Sequence, residues 1–537
     1  MLKKIKSLIY IDKYSVSEIS ELLSGYFSTA SSVVFGTGGY KKYKVIKTNT
    51  EEITGGAYIL ISDQGAKWTV ATDITGQELL YLYRLDDFWA ISNSIYLLAN
   101  KLREKKYKLT PNQSAINGFF VKSGNHFAAQ PLSQKTIFDE VRLLDSSSTV
   151  EISKLTTILS VNHKTLFQAL NFDQNISYED TIAEYVNDAI SEMKGLAEVD
   201  DLSLRCQLSG GYDSRAVFGV MTASVADVDR FTIESSQSAT EDFSVAKQIT
   251  DCFGFQINKP DGYRPSTIDT AQAYHLWKLG HVGSYLPIYL TRHMENHFSL
   301  KMKGDLWLST KFFQNGPDRI EKVIKRSIPH DQAADVIDDF RGAIKRQAVS
   351  NDLLSLMLHY GSYRSRFHCG RRWYKNLGDR IIYTPLVSSK LGKAAIYSAL
   401  NGFDAKQLPM DLLLAINPKL LDFNFDKASK NFSQSAVESS VFKKGITQSL
   451  NSKKVYFCEK DYSQEKQKKV GVKEDEFKEM LMDDFDKVYA ILKNNELKSW
   501  KTKSNLFYEK IKSGKLSHDY RGIAAVLFMG FAYGVYE

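Results

Sequence analysis

The stretch LSLRCQLSGGYDSRAVFGVMTAS, residues 202–224, decides how this chain is read. An apolar run, "LSLRCQL", gives way to a cluster of small polar residues and resumes as "AVFGVM". Ser, Gly and Asp are the commonest turn residues, so the plain reading is a surface turn. The flanks argue for more. A glycine pair directly after a strand and directly before a helix lets the backbone curl with its N–H groups pointing inward. The helix start adds unsatisfied donors and the positive end of its dipole, and such a place takes an anion. The Ser209 and Ser214 hydroxyls suit phosphate oxygens, and Asp213 suits a Mg²⁺ ion that bridges two phosphates. The pattern S-G-G-x-D-S has no counterpart of the P-loop lysine. Five fixed residues of ordinary usage make its chance occurrence in a chain of this length about one in a thousand.

Downstream, the runs "VDRFTIES" (228–235) and "FQINK" (255–259) flank a helix in "ATEDFSVAKQITDCFG" (239–254). Apolar strands alternating with helices predict a parallel sheet covered on both faces. Ligands of such sheets bind at the carboxyl ends of the strands, where the 208–215 loop lies. Upstream, "SYEDTIAEYVNDAISEMKGLA" (177–197) predicts a helix opened by a capping box of Ser177 and Asp180. Ile182, Val186, Ala189, Ile190 and Met193 line one face of it. Residues 155–177 read as a connector. Before them lies a meander of antiparallel strands, "GGAYILIS" (55–62), "KWTVAT" (67–72) and "ELLYLYRLDDFWAIS" (78–92), interrupted by the helical "NSIYLLANKLREK". A further strand pair falls at "TIFDEVRLL" and "STVEIS", and "FGTGGY" (35–40) reads as a turn because no helix follows it. Beyond about residue 330 the chain reads as mainly helical.

A chain of 537 residues is too long for one core and predicts two or three domains. With 43% apolar and 25% charged residues, neither disorder nor a repeat array is indicated. The net charge of +8 is a mild excess that fits anionic substrates such as nucleotides and does not call for nucleic acid. Cys206, Cys252, Cys369 and Cys458 are scattered without metal-site or disulfide spacing, which predicts a reducing, cytoplasmic setting. The basic start "MLKKIKSLIYIDKYSV" has an apolar run that stops at Asp12, too short for a secretory signal. The 14-residue apolar run "IAAVLFMGFAYGVY" is shorter than the about 20 residues that span a bilayer, and predicts a buried helix. Segment 443–470 carries eight lysines against three acidic residues; it reads either as a solvated face or as a loop that closes on a polyanion.

"LSGGYDS" resembles the pyrophosphate loop of the N-type ATP pyrophosphatases, and its setting resembles the asparagine synthetase and β-lactam synthetase family. "ATDITGQELLYLY" with "FWAISNSIYLL", and "TIFDEVRLL", resemble segments of that family's N-terminal domain. "FTIES" with "EDFSVAKQITDCFG", and "YTPLVSSKLGKAA" after the arginine-containing "RRWYKNLGDR", resemble its synthetase domain. The resemblance implies an α/β protein of two parts. One is an Ntn-hydrolase-like αββα sandwich over residues 1–155. The other, over 178–537, is an adenine-nucleotide α-hydrolase-like (HUP) synthetase domain with a parallel sheet and a helical C-terminal part. It implies an ATP- and Mg²⁺-dependent ligase that activates a carboxylate as acyl-adenylate, releases pyrophosphate and passes the acyl group to an amine. The carboxylate is a small molecule or peptide, and a homodimer or a pathway partner protein fits the same resemblance.

By that resemblance Leu208, Ile233 and Gly304 hold the adenosine through backbone groups. Ser209, Gly210, Gly211, Asp213 and Ser214 hold pyrophosphate and metal. Arg215 stands where the family has a small residue, and is either a phosphate or carboxylate contact or a salt-bridged surface residue. Lys443 and Lys444 of "FKKG" are the candidates for a catalytic lysine, and the sequence does not separate them. Two departures stand out. Glutamine-hydrolysing members carry a cysteine after the initiator methionine as nucleophile, whereas this sequence begins Met1-Leu2, so the sandwich is expected to lack glutaminase activity. The metal-completing acidic loop reads "GDLWLSTKF", which leaves Asp305 alone beside Asp213 as a metal ligand. The alternatives are an ammonia-dependent asparagine synthetase, a nucleotide-binding homologue without turnover, and a tRNA-modifying pyrophosphatase relative. The last usually carries the loop near the N-terminus together with catalytic cysteines.

Overall fold

Alternating side chains in the first 160 residues build two antiparallel sheets stacked face to face. The computed structural model describes residues 8–46, 51–121, 131–200, 202–225, 227–259, 266–280, 293–294, 299–308, 316–368, 370, 380–446, 451–458, 471–494, 505, 509, 513 and 520–534. Strands Ile53–Asp63 and Lys67–Thr72 form a hairpin in a seven-stranded sheet, and Tyr81–Leu85 and Phe88–Ser92 form one in a four-stranded sheet. Ile59, Ile61, Val70, Val150 and Ile152 of the first meet Leu82, Trp89 and Ile91 of the second in one apolar layer. The expected single meander is therefore split between two sheets. The reason is visible in Phe88–Ser92, where every residue is buried, so both faces of that strand require cover.

Helices close the outer faces. Tyr81, Tyr83, Phe88 and Ala90 pack on helices Ile95–Glu104, Thr270–Gly280, Glu474–Asn494 and Tyr520–Ala532. The last of these is the expected buried helix. Among the described residues no helix is long and apolar enough to cross a membrane. On the far face of the seven-stranded sheet, Phe27 and Tyr58 meet Tyr40 and Tyr43 of helix Gly36–Ile46. This corrects the reading of "FGTGGY" as a turn, because the helix begins inside it. Gly36 turns the chain at φ +62°, and the two tyrosines supply the packing that the glycines lack. Gly39 is required by proximity, since a Cβ there would lie 2.5 Å from the Tyr456 carbonyl oxygen.

Tyr456 belongs to strand Lys454–Tyr456, which pairs in parallel with Ser32–Val34 at the edge of the seven-stranded sheet. Lys453 just before it is buried, donating to the Thr29 carbonyl at 2.8 Å and lying 3.4 Å from both Asp188 and Glu192. Strand pairing and the buried Lys453 therefore fix this part of the lysine-rich segment, while Lys454 stays exposed. Residues 155–177 are more than a connector: Leu159–Asn162 adds a strand, and Leu166–Leu170 is a short helix with a Thr165–Gln168 capping box.

Helix Tyr178–Ala197 starts at Ser177, whose hydroxyl accepts from the Asp180 amide, and it buries its apolar face as expected. It leads into a parallel sheet whose spatial order is Phe231–Glu234, Ser203–Gln207, Ser299–Met302, Arg380–Tyr383. A parallel bridge from Ile233 to Ile257 adds the next chain segment outside Phe231–Glu234. The connection thus reverses direction between Ser203–Gln207 and Ser299–Met302, the switch point at which such sheets bind ligands. Leu204, Cys206, Ile233, Leu300 and Met302 enter the core with helices Tyr212–Ser224 and Gln407–Ile416. The other face departs from the expected apolar cover: Arg205 and Lys301 lie 2.8 Å and 2.7 Å from Glu234. The period-2 alternation of "LSLRCQ" accounts for this.

Candidate functional site

The loop 208–215 leaves the central strand at its carboxyl end and enters helix Tyr212–Ser224 without an intervening residue. Leu208 is buried, and its amide donates to the Glu234 carbonyl at 2.9 Å, tying the loop to the neighbouring strand. Inside the loop the Ser209 and Ser214 hydroxyls are 2.9 Å apart. The Ser209 amide donates to Ser214 Oγ at 3.1 Å, and the Gly211 amide donates to Ser209 Oγ at 3.4 Å. The two serines therefore hold the curl in shape. Gly211 is the helix N-cap at φ −91° and ψ 169° and brings no side-chain oxygen of its own.

The three glycines of the site do different things. A Cβ on Gly304 would lie 2.3 Å from the Asp213 carbonyl carbon and 2.4 Å from the Ser214 amide nitrogen. The chain leaving strand Ser299–Met302 is thus pressed against the first turn of the helix. Only a glycine fits there, and Asp305 is the next residue in the chain. A Cβ on Gly210 would lie 2.5 Å from Asp426 Cβ and 3.0 Å from Asp242 Oδ1. Among the described residues a Cβ on Gly211 would meet only Ser209 Oγ, at 3.7 Å, an ordinary contact, so this position has room for a side-chain carbon.

The donor set is partly engaged. The Gly210 amide donates to Asp242 Oδ1 at 2.7 Å, from the first turn of helix Thr240–Phe253, and the Asp426 amide donates to the Gly210 carbonyl at 3.2 Å. Ile233 is buried beside Cys206, and its carbonyl accepts from the Asn258 amide at 2.8 Å. Mg²⁺ bound alongside substrate phosphates takes one or two carboxylates, and Asp213 and Asp305 are the two that the sequence puts forward here. Among the described residues there is no cluster of three or more His, Cys, Asp or Glu side chains that could hold a metal ion.

Arg215 is corrected by its surroundings. It is fully buried, donating to the carbonyls of Leu420 (3.0 Å), Phe423 (2.7 Å) and Asn424 (2.8 Å). Its guanidinium lies 3.8 Å from the Phe425 ring centroid. Burial lowers its pKa to about 10, with Asp426 acting in the opposite sense. It is neither a phosphate contact nor a surface residue, but the tether of the segment that lies against Gly210.

Lys443 and Lys444 sit on an exposed turn, and the Lys443 ammonium donates to the Glu438 carbonyl on its own segment at 3.3 Å. That turn is fastened to helix Gln407–Ile416: Ser440 donates to Asp411 at 2.6 Å and the Ile446 amide to Ala415 at 3.2 Å. Residues 447–450 and 459–470 of the lysine-rich segment, Leu2, and most of "RRWYKNLGDR" lie outside the described residues. Sequence reasoning missed Asp242, Asp426 and Lys430. Lys430 and Asp426 form an i,i+4 ion pair, with nitrogen–oxygen distances of 2.6 and 2.7 Å. The spacing in "DKASK" was its only signal.

Fold and site together define an α/β protein with a glycine-rich loop at the switch point of a parallel sheet. No protein-family model matches the chain, and no curated protein matches it either.

Proposed function

We propose that this chain is an ATP-dependent amide-forming ligase of the asparagine synthetase and β-lactam synthetase type. In this reading the stacked sheets are an Ntn-hydrolase-like sandwich and the parallel sheet is a HUP-type nucleotide-binding unit. The observation that carries the reading is the S-G-G-x-D-S loop at the carboxyl end of the central strand, next to the switch point, with Gly304 packed on its helix start and room for a Cβ at Gly211. Backbone donors at a helix N-terminus and two serine hydroxyls suit a pyrophosphoryl group. Asp213 and Asp305 are the residues that would hold Mg²⁺, whose charge would offset that of the phosphates.

In the proposed reaction a substrate carboxylate oxygen attacks the α-phosphorus of ATP, the bond to the β-phosphate oxygen breaks, and pyrophosphate leaves. An amine nitrogen then attacks the acyl carbon, AMP leaves, and the amine gives up a proton. Charge grows on the departing pyrophosphate, so donors fixed around it lower the barrier. ATP–pyrophosphate exchange, measured over a panel of carboxylic acids that includes aspartate, tests this. Exchange with one acid, lost in Asp213→Asn, is the expected result, and product analysis with ammonia then separates asparagine synthesis from other amide formation.

The engagement of the Gly210 amide by Asp242 favours a second reading, a homologue that binds nucleotide without turnover. Binding of ATP·Mg²⁺ by calorimetry with no exchange for any acid would select it. Absence of ATP binding altogether would refute both.

A further inference from the structure

The S-G-G-x-D-S pattern carries no lysine of its own for the phosphates, and Lys443 and Lys444 sit on a turn fastened to helix Gln407–Ile416. The cation beside the loop is a different one. Asp426 lies against Gly210, its amide donating to the Gly210 carbonyl at 3.2 Å, and Arg215 ties the carbonyls of 420, 423 and 424 to the helix. Lys430 is bracketed within this arrangement. Its carbonyl accepts from the Tyr212 hydroxyl at 2.5 Å, one residue beyond Gly211. Its ammonium is held by both oxygens of Asp426. The Tyr212 ring meets Phe425 edge-on at 4.6 Å and stacks on Phe432 at 5.2 Å between ring centroids.

We infer that Lys430 is the cation that the pyrophosphoryl group of a nucleoside triphosphate recruits at this site, and that Asp242 and Asp426 are the carboxylates it displaces. The inference rests on the nucleotide reading above. Two carboxylates now occupy what an anion would take: Asp242 accepts the Gly210 amide, and Asp426 accepts the Lys430 ammonium. A phosphate in front of Gly211 offers more charge and more oxygens than either. Lys430 is about one quarter exposed, so its ammonium can swing from Asp426 to an incoming oxygen without unfolding its surroundings. A lysine serves such a role as a mobile point charge, whereas the buried Arg215 is spent on fixed carbonyls.

Titration calorimetry of the full chain with Mg²⁺ and inorganic pyrophosphate, and separately with ATP·Mg²⁺, tests this. Lys430→Met is expected to weaken pyrophosphate binding about tenfold or more, the scale of a lost charge-assisted hydrogen bond. Lys430→Arg should recover most of it. Asp426→Asn should strengthen it several-fold, because it weakens the competitor while keeping shape. A purely structural ion pair predicts that Lys430→Met and Asp426→Asn move affinity together or not at all, and either outcome overturns the inference while leaving the nucleotide reading intact. If Lys430→Met does not fold, the direction of the Asp426→Asn effect decides alone. Wild-type protein that binds neither pyrophosphate nor ATP would overturn the nucleotide reading and this inference with it.

Discussion

Gly304 and Gly211 stand on either side of the same helix start and should respond in opposite ways to one added methyl group. In Gly304→Ala the new Cβ would lie 2.3–2.5 Å from three backbone atoms of Asp213 and Ser214. Carbon contacts are comfortable near 3.5 Å, so one backbone must retreat by about 1 Å. Neither can do so cheaply, since both are held by the parallel sheet and the helix it feeds. Overpacking of this kind costs about 1–3 kcal/mol, and contact with rigid backbone puts this case at the upper end. In Gly211→Ala the Cβ would meet Ser209 Oγ at 3.7 Å, an ordinary contact, at a φ of −91° that alanine adopts freely. Its stability should therefore stay within about 0.5 kcal/mol of wild type.

Binding should divide the other way for Gly211→Ala. In the proposed reading the methyl would stand where a phosphate approaches the loop, so affinity for ATP·Mg²⁺ should fall at least about tenfold, or 1.4 kcal/mol. Scanning calorimetry reads stability and titration calorimetry reads affinity. For a unit of this size each kcal/mol shifts the melting temperature by about 2–4 °C. Gly304→Ala should melt several degrees low and Gly211→Ala near wild type. If Gly211→Ala binds ATP normally, or loses as much stability as Gly304→Ala, the assignment of this position to phosphate is wrong.

Asp213→Asn should weaken ATP binding about tenfold in the presence of Mg²⁺ and much less in EDTA, since it removes one anionic oxygen ligand and keeps shape; equal affinities with and without the metal effect would remove Asp213 from the site. Arg215→Met leaves three carbonyls without their buried donor and should cost about 3–5 kcal/mol in chemical denaturation; a loss under about 1 kcal/mol would show that the tether is dispensable. Burial pulls the Glu234 carboxyl upward, but Lys301 and Arg205 outweigh it and bring the pKa from 4.5 to about 2. A carboxyl lowered in the folded state contributes stability above pH 4.5 and loses it as the pH falls towards 2, worth about 3 kcal/mol. Acid titration of stability should show this loss in wild type and a smaller one in Glu234→Gln, and identical profiles would exclude the triad as its source.

What was legible in the sequence was local. The 208–215 loop, the capped helix from Ser177, the hairpin around residue 65 and the buried C-terminal helix each carry their instructions within a few residues, as periodicity, a cap or a turn. The alternation in "LSLRCQL" was equally present, yet the general rule for parallel strands outweighed it and hid the polar face with Arg205, Glu234 and Lys301. "FGTGGY" failed as a turn because its helix is held by Phe27 and Tyr58 and by strand Lys454–Tyr456, more than 400 residues away, contacts that no local propensity encodes.

The sequence by itself determined the loop, because a strand, two glycines and a helix start make a tight curl of backbone wherever they occur in order. Only the tertiary structure decided which side chains stand around that place. Arg215 follows the loop directly, yet it points to carbonyls 205–209 positions further on, and Lys430 lies over 200 residues from Tyr212 but shares a hydrogen bond with it. Backbone donors are set by neighbouring φ and ψ, which local residues control. A long flexible side chain goes to whatever unsatisfied oxygen the fold brings near, and that depends on how distant segments pack.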